Sequence, residues 1–158
     1  MALVKGTNSY GTIAEANAYF EDRLDVAAWA KADETIKSQA LVTASALLND
    51  YNWVGTAISD SQLLAFPRVG SYFDPRLGLA VSLTSAIPAR VTNASYESAY
   101  HLLNNDGVLD STGTLKDITV GSISLNIRTD PETVPSIVRK LIKPLLVNAG
   151  SNMWWRAN

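Results

Sequence analysis

Glu21 and Asp25 stand four residues apart in a stretch with helical spacing, which would set both carboxylates on one helix face. Such a pair can hold a cation or move a proton. No further ligand-type residue accompanies it, and a solvated face is the plainer reading. His101 is the single histidine, and it could be combined with any of 15 serines. No spacing selects one of them, and the Gly-x-Ser-x-Gly elbow of serine hydrolases does not occur. Residues 6–11 hold glycines without the Lys-Ser/Thr of a phosphate loop. Residues 106–117 lack the alternating acids and closing Glu of a calcium loop. No catalytic residue, cofactor site or metal site is therefore expected, and no enzyme activity.

Two other groups have the chemistry of binding rather than catalysis. Arg68, Tyr72, Phe73 and Arg76 mix cations with rings in one short segment. Single-strand binders use such mixtures, stacking bases on the rings and drawing phosphates to the cations. The second group is the tail Met153, Trp154, Trp155 and Arg156, which follows Gly150. Trp and Arg are enriched at interface hot spots, so this tail is expected to anchor a partner.

Composition narrows the classes further. The 158 residues include no Cys, which removes disulfides, thiolate metal sites and Cys nucleophiles. Net charge is −2, so nothing global attracts nucleic acid. The charge is uneven, however. Residues 134–158 hold Arg139, Lys140, Lys143, Arg156 and no acid, leaving −6 on residues 1–133. Charged residues are only 18%, while 15 Ser, 12 Thr and 11 Asn supply a neutral polar surface suited to packing against partners. No apolar run approaches the roughly 20 residues of a membrane span. The first six residues lack the apolar stretch of a signal peptide, and none is expected.

The elements that must position these groups are mostly helical. Thr12 with Glu15 forms a capping box for a helix over about 12–28. Asp33 caps a second, about 34–51, with the strongest apolar stripe of the chain (Leu41, Ala44, Leu48). Gly55 turns the chain, and Phe66-Pro67-Arg68 stops a short helical turn near 61–65. Residues 69–86 show no clean period and read as a long ordered loop, with at most a short strand near 79–83. Ile87-Pro88 opens a third helix to about 104, whose Ala94, Ser95, Ser98 and Ala99 permit close helix approach. Ile118, Val120, then Ile123, Leu125 and Ile127 alternate with polar residues as two strands broken at Gly121-Ser122. The last helix starts near Val134, is kinked by Pro144 and ends at Gly150. The fold class is mainly α: a bundle of about four main helices, a long loop and a two-stranded arm before the last helix. Residues 1–150 are read as one domain and 151–158 as a tail. Leu41, Leu48, Val91, Leu102, Val138 and Leu141 are expected in one common core.

The order of these pieces carries a resemblance. Gly6 to Leu24, then Ala28-Trp29, Trp53-Val54-Gly55, Gln62 to Arg68, Ile87-Pro88 and Val120 to Ser124 follow one another as in the head–tail connector (adaptor) proteins of tailed bacteriophages. Members of that group are often labelled DnaT-like single-strand DNA-binding proteins. The resemblance implies a virion structural protein without catalysis, forming a homo-oligomeric ring of about twelve copies through heterologous contacts. The ring would sit under the portal protein in the virion neck, assembled in the host cytoplasm. It would extend the DNA channel without reading sequence, and would carry a further neck or tail completion protein. On that reading Met153, Trp154, Trp155 and Arg156 contact the portal. Tyr72, Phe73, Ile118, Val120, Ile123, Leu125 and Ile127 contact neighbouring subunits. The alternative is a single-stranded DNA-binding replication accessory.

Overall fold

The computed structural model describes residues 2–104, 117–120, 123–126 and 134–147, with side chains over 2–104 and 134–147. Five α-helices and a three-stranded antiparallel sheet make up most of it, with a separate two-stranded pair. The chain is helix-rich, as expected, and departs from a simple bundle in carrying the sheet.

The capping box forms as the spacing requires. Thr12 Oγ1 accepts from the Glu15 backbone, and Glu15 Oε2 accepts from the Thr12 backbone. The expected helix over 12–28 is nevertheless two helices, α1 (Ile13–Glu21) and α2 (Ala27–Lys31). α1 ends at the Asp22 cap, and in the link to α2 Asp25 has φ +58°, a left-handed backbone no helix continues through. The Tyr100 hydroxyl holds it there by donating to the Asp25 carbonyl at 2.7 Å. The break lets α2 turn back, so that Trp29 lies 5.0 Å from the Phe20 ring. Glu21 closes α1 while Asp25 sits in the loop, so the two carboxylates do not share a helix face.

Helices α3 (Glu34–Asn49) and α4 (Ala89–Asn104) pack against each other. Ala94, Ser95, Ser98 and Ala99 are all buried, the close approach that small side chains allow. The apolar interior is two clusters rather than one. Leu48, Val91 and Val138 join Tyr10, Trp53 and Phe66 in the first. Leu41 joins Phe20, Trp29 and Tyr96 in the second. Leu102 and Leu141 are only partly buried. Sixteen helical residues span about 24 Å, so α3 and α4 carry one stripe past two separate sets of neighbours.

Residues 69–86, expected as a loop with a short strand near 79–83, are mainly a hairpin: the expected strand is β3 (Leu79–Leu83), and β2 (Arg68–Asp74) pairs antiparallel with it in the register Tyr72 opposite Val81. Short β1 (Thr56–Ala57) pairs with the start of β2. The hairpin was hidden because its inward positions are mixed in polarity. Tyr72 and Asp74 face the helices, while Ser71 and Phe73 face out. Its turn is built by Asp74, whose carboxylate accepts from the Arg76 backbone, and by Gly78 at φ +69°. Gly55 at φ +74° and Gly70 at φ +141° let two chain segments meet: a Cβ on Gly55 would run into the Val69 carbonyl.

The expected arm appears as β4 (Asp117–Val120) and β5 (Ile123–Asn126), antiparallel with Val120 opposite Ile123. The last helix is shorter than expected. α5 (Ser136–Ile142) gives way to a 3₁₀ turn, Lys143–Leu145, where Pro144 lacks the N–H that an α-helix would use.

Candidate nucleic-acid interface

The most specific sequence pieces meet in the interior and do structural work. The Trp53 indole lies 5.0 Å from Phe66 at 79°, and Tyr10 meets the same ring edge-on at 6.4 Å. Trp53 Nε1 donates to the Leu48 carbonyl at 2.9 Å. The Tyr10 hydroxyl is bound by Asn49 and the Ala65 backbone, and burial pushes its pKa up to about 12. Arg68, a sequence candidate for phosphate, is spent on carbonyls instead. Its guanidinium donates to Val54 at 2.9 Å, Gly55 at 2.6 Å, Ala65 at 3.3 Å and Trp53 at 3.4 Å. It holds the 53–55 turn against the start of β2.

On the surface the hairpin and the C-terminal basic segment come together. The segment 52–54 runs antiparallel to 145–147: Val54 N–H donates to Leu145 and Val147 N–H to Asn52, both at 2.9 Å. That ladder fixes α5 and its 3₁₀ turn beside the edge of β2. Between them lies an open groove of about 700 Å³. Tyr72, Phe73 and Pro75 form one wall, and Lys140, Lys143, Pro144, Leu146 and Val147 the other. Phe73 is 60% exposed, an unusual state for a ring and the one a stacking platform requires. Among the described residues neither Lys140 nor Lys143 takes part in an ion pair.

The hairpin wall is fixed from behind. Arg90 on α4 grips the Asp74 carboxylate through Nη2 at 2.7 Å and Nε at 3.3 Å. The Tyr72 hydroxyl donates to the same carboxylate at 3.3 Å. The Arg90 hydrogen bond holds the Asp74 pKa down at about 2. Burial, and then the Asp74 charge, raise that of Tyr72. Phe73 is thus mounted on a strand whose two neighbouring side chains are tied to a helix.

Of the residues expected at interfaces, Tyr72 and Phe73 lie in this groove. Ile118, Val120, Ile123 and Leu125 fall on the β4–β5 pair, whose side chains are outside the description. Ile127, Met153, Trp154, Trp155 and Arg156 lie outside the described residues. Lys140 and Lys143 were not singled out as site residues. The signal for them is the +4 charge of residues 134–158. Among the described residues no cluster of His, Asp or Glu converges to hold a metal, and no helix is long and apolar enough to cross a membrane.

Comparison with known families places this groove in context. The family described as "Putative DnaT-like ssDNA binding protein" matches residues 2–157. The chain belongs to this family. No curated protein matches it. No solved structure matches it either. The match overturns the connector reading taken from the order of sequence pieces. The family is described by single-stranded DNA and not by virion assembly, so the portal, neck and ring assignments are withdrawn. What had been set aside as the alternative is the better supported reading.

Proposed function

We propose that this protein is a non-catalytic single-stranded DNA-binding protein, and that the strand lies in the groove between the β2–β3 hairpin and α5. The observation that carries this is the exposed Phe73 ring across an open groove from Lys140 and Lys143. A base has a π-face whatever its identity, so an exposed ring accepts any base by stacking. Two ammonium groups on the opposite wall can pair with the phosphates. A duplex hides its base faces inside the stack, which selects for single strands. The family description supports the same ligand.

The net charge of −2 sets the expected scale. With few cations on the groove, binding should be modest, roughly 10⁻⁴–10⁻⁶ M, and should weaken with salt as counterions compete. The test is fluorescence anisotropy of a labelled oligothymidylate and of a duplex of equal length, titrated with protein at low salt. Tighter binding of the single strand, lost as salt rises, is the expected result. Equal binding of both forms, or none of either at low salt, would refute the proposal.

A further inference from the structure

The chain leaves its described part at the rim of the groove. Leu146 and Val147 line one wall, and residues 148–158 follow directly. Trp154 and Trp155 stand seven and eight residues beyond Val147. We propose that the C-terminal tail docks in the groove of its own chain, with the Trp154 and Trp155 rings against Phe73 and Val147, and that a single strand binds by displacing it. The docking concerns the chain alone. The competition rests on the single-stranded DNA reading and adds a regulatory contact to that site.

Three observations select this occupant. The first is apolar surface. Among the described residues Phe73 is 60% exposed and Val147 45% exposed, on opposite walls of one groove. Removing such surface from water is favourable, and an exposed ring is best covered by another ring, offset or edge-on. The second is reach. Val147 N–H donates to the Asn52 carbonyl at 2.9 Å, which fixes the start of the tail at the rim. Seven residues on, a chain spans about 15 Å as a coil and about 23 Å fully extended. A tether of that length holds its rings near the groove at an effective concentration of millimolar order, so a weak contact suffices. The third is charge. Arg156 is the only charged side chain in 148–158, so no side chain of the tail can pair with Lys140 and Lys143 on their wall of the groove. A DNA strand brings a ring and a phosphate together. It engages the cations as well as Phe73, where the tail engages apolar surface alone, and so it displaces the tail.

Acrylamide quenching of tryptophan fluorescence reads the docking without DNA, on the full chain. Trp29 and Trp53 are each 3% exposed, so among the four Trp the quencher reports chiefly on Trp154 and Trp155. Phe73→Ala should steepen the quenching, because the docked rings lose their partner. Equal slopes in wild type and Phe73→Ala overturn the docking and leave single-strand binding standing. Protection that fades on dilution assigns the groove to the tail of a second copy, and overturns docking within one chain. The competition is read by anisotropy of a labelled oligothymidylate against wild type and the variant carrying both Trp154→Ala and Trp155→Ala. A tail docked about two-thirds of the time leaves about a third of the molecules open, so losing both rings should tighten binding about threefold. Unchanged binding by the double variant overturns the competition. Weaker binding overturns it as well, since the tail then holds the strand. If neither protein binds any strand, the single-stranded DNA reading fails and the competition with it, while the quenching still decides the docking.

Discussion

Replacing Phe73 by Ala separates stacking from charge at the groove. The ring is 60% exposed, and its cross-strand partner is Ala80, so little packing is lost on truncation. Cross-strand pairs are worth about 0.2–1 kcal/mol, which sets the expected cost to folding. Loss of a base stack costs about 1–3 kcal/mol, so affinity for a single strand should fall roughly 5- to 150-fold. The ring carries no charge, and the fall should therefore be the same at every salt concentration. Lys140→Ala with Lys143→Ala should do the reverse. Each lost phosphate contact on a single strand changes the slope of log K against log salt by about 0.7, so the pair should flatten it by about 1.4. Anisotropy titrations across a salt series read both quantities, and thermal melting confirms that the variants are folded. An unchanged affinity in Phe73→Ala would remove the ring from the interface. An unchanged slope in the double lysine variant would remove the cations.

The remaining expectations concern the scaffold. Arg68→Ala should destabilise by about 2–4 kcal/mol, because four carbonyls lose a charged donor together; a denaturant midpoint within error of wild type would contradict that. Leu48→Ala should cost about 2–5 kcal/mol, since Leu48 is fully enclosed in the first cluster, and a loss below about half a kcal/mol would place it outside the core. Asp74 has its pKa held below the ordinary 3.8, at about 2. Its contribution is fully present above pH 3.8 and is lost as pH falls towards 2. The stability difference between wild type and Asp74→Asn should therefore be constant from neutral pH to about 4 and shrink below it. A difference that grew on acidification would reverse the sign of the argument.

Local chemistry made much of this protein legible in its residues. Thr12 with Glu15, and Asp33, each mark a helix start because a cap is satisfied within one turn, and Pro88 marks one because its ring presets the helical φ and it has no N–H to leave unpaired. The stripes of α3 and α4 are buried where their period says, since the 3.6-residue repeat needs no knowledge of the partner. The alternation at 118–126 gave a strand pair for the same reason. Asp25 shows the limit. Its left-handed backbone lies in the link between α1 and α2, and is held by Tyr100 from 75 residues away. Tyr72 and Asp74 were unreadable as an inward strand face because the polar one is satisfied by Arg90 on another helix.

The interface shows the same division. Tyr72 and Phe73 were visible as rings that could stack, and residues 134–158 as a basic segment, but nothing local joined the two. Arg68 looked equally suited to phosphate until its guanidinium was found closed over four carbonyls. Charge and aromaticity are properties of a residue and can be read in order. Availability is a property of what surrounds it, and the ladder between 52–54 and 145–147, with the packing of α5 on α4, brings Lys140 and Lys143 across from Phe73. Residue types thus supplied the chemistry of binding, and long-range pairing decided which of those residues were free to use it.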